Sequence, residues 1–260
     1  MRFMIRKGIH ALAFMLGLAA AANAACAGAV GDELGQWGDD ARSLVAAPLH
    51  WERSDWYWFE TGVALTAASS LLDRKLYRQW NGASGAASLG NAWALAAPAG
   101  AVMFYGMQGL FGDDHRAMRK AGSYAEAAFF SLAAAGALKA ALGRERPVAP
   151  GTNNGQFHPG SFSDKRMSLP SGHVALAFSV VGVLSADRNM PWWVAPLAAV
   201  GGGATMFGRI RDKKHWASDT VAAALIGFGI GRFVGLRRDG SGLQPMVISD
   251  GGGLQWQGRF

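Results

Sequence analysis

RMSLPSGHVALAFS, residues 166–179, sets Pro170-Ser171-Gly172-His173 at the head of an apolar run. An apolar helix needs a start signal, and Pro or Ser serves as one. It does not need an imidazole one residue after a glycine. The stretch reads either as an ordinary helix cap or as half of an active site. The rest of the chain has to decide.

Outward from this run, six apolar segments stand near 56–72, 92–111, 123–142, 172–186, 191–208 and 215–234. All are too long for ordinary strands and rich in helix formers, so they predict an all-α domain over 56–237. Gly and Asn clusters (NGASGAASLGN) and charged stretches (GDDHRAMRKAG) separate them. In the N-terminal segment 25–55, Leu34, Trp37, Leu44 and Val45 predict a short amphipathic helix broken near Pro48. The tail, 238–260, alternates around Asp250-Gly251-Gly252-Gly253, with Leu254, Trp256 and Phe260 at even spacing. That pattern predicts a short β-hairpin, with a disordered glycine-rich end as the other reading.

The first residues form their own unit. Arg2, Arg6 and Lys7 make a basic start, Ala11–Ala22 carries no charge, and Ala22-Asn23-Ala24 fits small-x-small cleavage. Residues 1–24 therefore read as a secretory signal rather than a first membrane helix. The only cysteine, Cys26, allows neither an intrachain disulfide nor a cysteine-based metal site. Its role stays open, and Asn23 argues against a lipid anchor there. The net charge is +7. That balance suits an anionic substrate or lipid, and no pattern of basic residues with stacking aromatics points to nucleic acid.

Three constellations sit where charge meets an apolar segment. Lys139, Arg146 and Pro147 are spaced K-x6-R-P; Pro170-Ser171-Gly172-His173 is the second; Arg209, His215 and Asp219 are spaced R-x5-H-x3-D. Each alone has a bland reading: a snorkelling lysine, a helix cap, a solvated i,i+4 pair. Together they suit attack on a phosphate. Asp219 at i+4 can accept from one ring nitrogen of His215 and leave the other unprotonated. Ser171 and Gly172 offer a helix start to an anion. Lys139, Arg146 and Arg209 can surround the oxygens of a five-coordinate phosphorus. His173 is then placed to protonate the leaving alkoxide and later to activate water. With the cations built in, this scheme requires no metal and no cofactor.

These three motifs resemble the signatures of the type 2 phosphatidic acid phosphatase (PAP2) superfamily, which includes class A acid phosphatases and vanadium haloperoxidases. The resemblance covers roughly residues 50–235. It implies a six-helix bundle with the motifs at one end. It implies His215 as nucleophile, Asp219 as its partner and His173 as acid, with Lys139, Arg146, Ser171, Gly172 and Arg209 holding phosphate. The family usually has Ser before the third-motif Arg, where this chain has Gly208.

The expected activity is metal-independent hydrolysis of a phosphomonoester or a lipid phosphate or diphosphate through a phosphohistidine. The alternatives are a vanadate-dependent haloperoxidase and a catalytically inactive helical envelope protein. His158, Phe157, Arg211, Lys213 and Lys214 border the motifs, with loop packing the plainer reading. Glu60 and Glu126 sit in apolar segments with no assigned role. Trp56, Trp58, Trp93, Trp192, Trp193 and Trp216 fall at segment starts, as an interfacial belt would. Against spanning, Ala and Gly gain little in lipid, and the fourth segment is short. The expected location is the cell envelope, periplasmic and soluble or membrane-associated, with a multi-pass arrangement left open.

Overall fold

The computed structural model describes residues 24–79, 85–148, 153, 155–238, 242–248 and 251–257. The expected signal segment falls outside these apart from Ala24. The chain divides into two compact units, Met1–His50 and Trp51–Phe260.

In the first unit, helix α1 spans Ala24–Ala46 and passes into a 3-10 turn over Ala47–Leu49. Pro48 stands inside that turn, at the expected break. In the second unit the helices are α2 (Arg53–Gln79), α3 (Gly85–Gly112), α4 (His115–Leu142), α5 (Gly172–Ala186), α6 (Val194–Arg211) and α7 (Ala217–Arg238). Each expected apolar segment falls on one of them, so the domain is helical. The tail contributes two antiparallel strands, Gly242–Ile248 and Gly251–Gln257, with Leu243 opposite Trp256.

The core is built around α5. This helix is apolar on all sides, which in a folded chain means burial on all sides. Val174 and Ala175 are fully buried and pack with Ala135 of α4 and Ala223 of α7. Helices α5 and α7 lie side by side and parallel, in very close contact. A Cβ on Gly231 would stand 2.1 Å from the Ser179 carbonyl oxygen, so only glycine fits there. Because the two helices are parallel, both begin at the same end of the domain.

Helix α4 brings its C-terminus to that end. Asp114 caps its start by accepting from the N–H groups of Arg116 and Ala117. Gly143, at φ 60°, closes the other end, and its N–H donates to the Lys139 carbonyl. Lys139 therefore sits in the last turn, about 28 Å along the axis from Lys120. Helix α6 also ends there, with Arg209 and Arg211 in its last turn. At the opposite end, Glu126 pairs with Arg238 at 2.6 Å and Lys120 with Asp187 at 2.6 Å. Glu126, which has no reading in the sequence, is thus half of a buried ion pair that fastens the end of α7 to α4.

Among the described residues, three stretches are long and apolar enough to cross a membrane: Ala87–Gly112, His115–Leu142 and Ala217–Arg238. The first is little covered by the rest of the protein. Leu95, Phe104 and Leu110 on α3, and Trp58, Val63 and Leu71 on α2, stand more than half exposed.

Candidate active site

The two helix starts and two helix ends converge on His215. Residue 215 lies in the turn between α6 and α7, not on a helix, and its backbone N–H donates to the Arg209 carbonyl. Helix α7 begins two residues later. Asp219, in its first turn, reaches back to accept from the Trp216 N–H at 2.8 Å. This is half of a capping box, and it determines where the carboxylate points.

The expected direct hydrogen bond from His215 to Asp219 is not formed. Nδ1 of His215 lies 3.8 Å from Oδ2 of Asp219 and 2.7 Å from the Ser168 carbonyl oxygen. A carbonyl only accepts, so Nδ1 carries the proton and Nε2 keeps its lone pair. The reason lies in what already occupies Asp219. Its Oδ2 accepts from Trp216 N–H and from the Ser168 hydroxyl, and its Oδ1 accepts from Arg144 at 2.6 Å. Ser168 thus joins the pair, its hydroxyl on the carboxylate and its carbonyl on the ring.

Burial pushes the His215 imidazole down to about 3, with Lys139 and Arg146 adding to burial and Asp219 opposing it. The ring is therefore neutral at ordinary pH. Burial likewise pushes His173 down to about 4, with Arg209, Lys139 and Arg146 acting in the same direction. The three cations are thus close enough to one imidazole to repel its proton.

Those cations make few bonds to carboxylates. Lys139 Nζ donates to the Met167 carbonyl at 2.7 Å. Arg146 meets the same carbonyl at 3.4 Å and Asp164, a mostly exposed residue, at 3.2 Å. Among the described residues, the Arg209 side chain reaches only the side-chain oxygen of Asn91, at 3.5 Å. The Nε atoms of Arg146 and Arg209 are buried without a hydrogen-bond partner among the described residues. Burial also lowers the pKa of both guanidiniums.

Ser171 occupies the N-cap position of α5, yet its side chain caps nothing. Its hydroxyl is fully buried and also lacks a hydrogen-bond partner among the described residues. Its backbone N–H donates to the Asp219 carbonyl, which ties the α5 start to the α7 start. A Cβ on Gly172 would meet only Leu132, at an ordinary 3.6 Å, so packing alone does not demand glycine there.

All eight sequence-chosen residues, Lys139, Arg146, Ser171, Gly172, His173, Arg209, His215 and Asp219, lie at this end. Five others were not chosen. Arg144 is buried and bridges Asp219 to Asp73 of α2, at 2.6 and 2.8 Å. Ser218 donates to Asp73 through both its N–H and its hydroxyl. Ser168 and Asn91 complete the group, and Asn91 also donates to Asp212 at 2.8 Å. Phe157 packs on Arg144 with the guanidinium 5.6 Å from the ring centre, in keeping with a loop-packing role. Lys213 stands 4.0 Å from the Tyr77 ring centre.

Gly208 now has a physical reason. A Cβ there would stand 2.7 Å from the Ala87 carbonyl oxygen, so α6 and α3 approach too closely for serine.

Fold and cluster together define a helical protein with a cation-rich site where helix ends meet. Residues 120–238 match the model of the PAP2 superfamily. That match points to phosphatase-type activity on a phosphorylated substrate. Searches of curated proteins and of solved structures return no match.

Proposed function

We propose that this chain hydrolyses phosphoesters through a phosphohistidine on His215. One observation carries the reading. Ser171 Oγ, Arg146 Nε and Arg209 Nε are buried polar atoms without partners among the described residues, gathered around a neutral imidazole. Buried donors are normally satisfied, so such a set is suited to a multivalent oxyanion.

The steps follow from the atoms. Nε2 of His215 attacks phosphorus in line with the ester bond. The N–P bond forms, and the P–O bond breaks with its electron pair on the leaving oxygen. His173 gives that oxygen a proton. His173, now neutral, takes a proton from water, and the water oxygen displaces the imidazole from phosphorus. Lys139, Arg146, Arg209, the Ser171 hydroxyl and the α5 start balance the charge on the equatorial oxygens.

The substrate class we favour is a phosphate carried on an amphiphile. The exposed apolar faces of α2 and α3 exceed what a water-facing surface ordinarily shows. Helix α3, with 28 residues, is about 42 Å long, more than the roughly 30 Å of a bilayer's hydrocarbon core. We therefore place the protein at a membrane of the cell envelope, with residues 1–24 as its export signal. Resistance to carbonate extraction and release by detergent are the expected results for location.

The deciding experiment measures phosphate release from a soluble nucleotide, a lipid phosphate in mixed micelles and an isoprenyl diphosphate. His215→Ala should lower turnover by at least about 10⁴-fold while the helical spectrum stays unchanged. Vanadate should inhibit, and chelators should have no effect. Turnover that survives His215→Ala would reject the assignment.

A further inference from the structure

At the end of the domain away from His215 lies a cavity of about 120 Å³. Arg116, Arg119 and Lys120, from the first two turns of α4, line it together with Tyr124. Asp187 at the end of α5 and Arg238 at the end of α7 close its sides. Its volume equals roughly four water volumes, which suits the four oxygens of a phosphoryl group.

Two of the cations are already held. Lys120 donates to Asp187 at 2.6 Å and lies over the Tyr105 ring, which stacks on Tyr124. Arg238 donates to Glu126. These two shape the walls. Arg116 and Arg119 are exposed, and among the described residues neither guanidinium bonds to another group. They stand at i and i+3, on one face of α4. The acid nearest in sequence, Asp114, is turned onto the N–H groups of Arg116 and Ala117.

Position says what carries the phosphoryl group. Along α4 and α7 the cavity lies about 28 Å from Lys139 and Asp219. Trp58 stands about 22 Å from Asp73 along α2, and Trp193 opens α6 about 24 Å from Arg209. Trp58, Trp192 and Trp193 are each more than half exposed. The hydrocarbon core of a bilayer is about 30 Å thick, and tryptophans gather at its edges. The exposed apolar side chains of α3 run up to Leu110 and Phe111, just before α4 begins. The cavity thus lies where apolar surface gives way to charge, at the level of lipid headgroups.

We infer that this cavity binds the phosphoryl group of an anionic phospholipid, with Arg116 and Arg119 as its ligands. The bound lipid fastens the domain at the interface opposite the catalytic end. A guanidinium fork matches two phosphate oxygens, and each cation at an anionic surface adds to the attraction. The inference rests on the membrane placement proposed above and not on the phosphohistidine.

The test uses the full chain in neutral detergent micelles carrying dansyl-labelled phosphatidylglycerol, with the zwitterionic choline lipid as reference. Phosphatidylglycerol is a diester, so hydrolysis of phosphomonoesters does not consume it. Energy transfer from tryptophan to dansyl reads binding. Wild type should bind the anionic probe about 10- to 30-fold more tightly than the reference. Arg116→Gln/Arg119→Gln should lose that preference, with its melting temperature and its turnover of p-nitrophenyl phosphate unchanged. The charge-matched Arg53→Gln/Lys75→Gln exchanges two exposed cations of α2 and should keep the preference within about threefold. Equal losses in the two variants would mean diffuse attraction and overturn the inference. A preference that survives in Arg116→Gln/Arg119→Gln would overturn it too.

Inorganic phosphate separates the two sources of a phosphoryl group. At millimolar concentration it should displace little of the lipid probe. Full displacement would assign the cavity to a soluble anion and reject the lipid. Energy transfer needs no turnover, so a chain without phosphatase activity sinks the proposed reaction alone. Release by carbonate sinks the membrane placement, and the probe preference in micelles still decides the cavity.

Discussion

The two ends of the long helices use the same basic side chains for opposite purposes. At one end, Lys120 and Arg238 each meet a carboxylate at 2.6 Å, Asp187 and the buried Glu126. At the other, Lys139 donates to a carbonyl and Arg209 reaches an amide oxygen at 3.5 Å. Arg146 and Arg209 each keep a buried Nε with no protein partner among the described residues. A cation whose partner is built in contributes to the fold. In the proposed function, a cation left with carbonyls and amides is reserved for an anion that comes and goes. Arg144 sharpens the contrast. It lies at the same end as His215 but is held by Asp73, Asp219 and the Ser218 hydroxyl.

The largest expected effect breaks this comparison at both ends at once. Arg238→Ala leaves Glu126 buried without its partner and should cost about 3–5 kcal/mol in stability. Activity per folded molecule should be unchanged. Arg209→Ala should do the reverse, lowering kcat/KM by about 10²- to 10³-fold with little change in melting temperature. Paired denaturation and kinetic measurements on the two variants decide it. Similar profiles for both would erase the distinction.

Gly208→Ser comes next. It supplies the hydroxyl usual in the family, but its Cβ would crowd the Ala87 carbonyl at 2.7 Å. Overpacking there should destabilise the protein by about 1–3 kcal/mol, as a denaturant midpoint would show, with no gain in turnover. A more active and equally stable variant would mean that α6 has room to move.

This position also shows what was legible in the sequence. The motif residues could be read because their spacing is local: a lysine one turn from a helix end, a serine and glycine at a helix start. Gly208 could be seen as a departure, but its cause is a carbonyl on another helix. Asp73 and Ser218 are 145 residues apart, and in LLDRKLYR the acid looks like any solvated helix charge. Arg144 lay in plain view in GRERP, two residues before the chosen Arg146. Nothing local says which of the two bridges Asp73 and Asp219. The direct His215–Asp219 bond failed as an expectation for a related reason. Spacing alone does not reveal that three other donors already hold the carboxylate.

Stability should also respond to acid. The His215 pKa in the folded state, about 3, lies below the ordinary value of 6.5, so below 6.5 the unfolded chain binds more protons than the native one. Stability is full above pH 6.5 and falls as the pH drops through that window toward about 3. His215→Gln should flatten part of this slope in urea titrations taken at successive pH values. An unchanged slope would mean that the ring is already protonated in the native protein.

The smallest effect concerns the front of the site and is the most specific to it. His173 must carry a proton to act as the acid, yet burial and the cations Arg209, Lys139 and Arg146 hold it at about 4. A bound phosphate dianion would oppose those same cations. It should raise the His173 pKa in the complex, because an opposite charge within reach favours the charged ring. The profile of kcat/KM reports the unliganded protein and that of kcat the complex. The alkaline limb of kcat should therefore lie at least about one pH unit above that of kcat/KM. In His173→Asn both limbs should disappear together with most of the turnover. Limbs that coincide in the wild type would mean that the anion does not sit among these three cations, and the contrast between the two ends would then lose its chemical meaning.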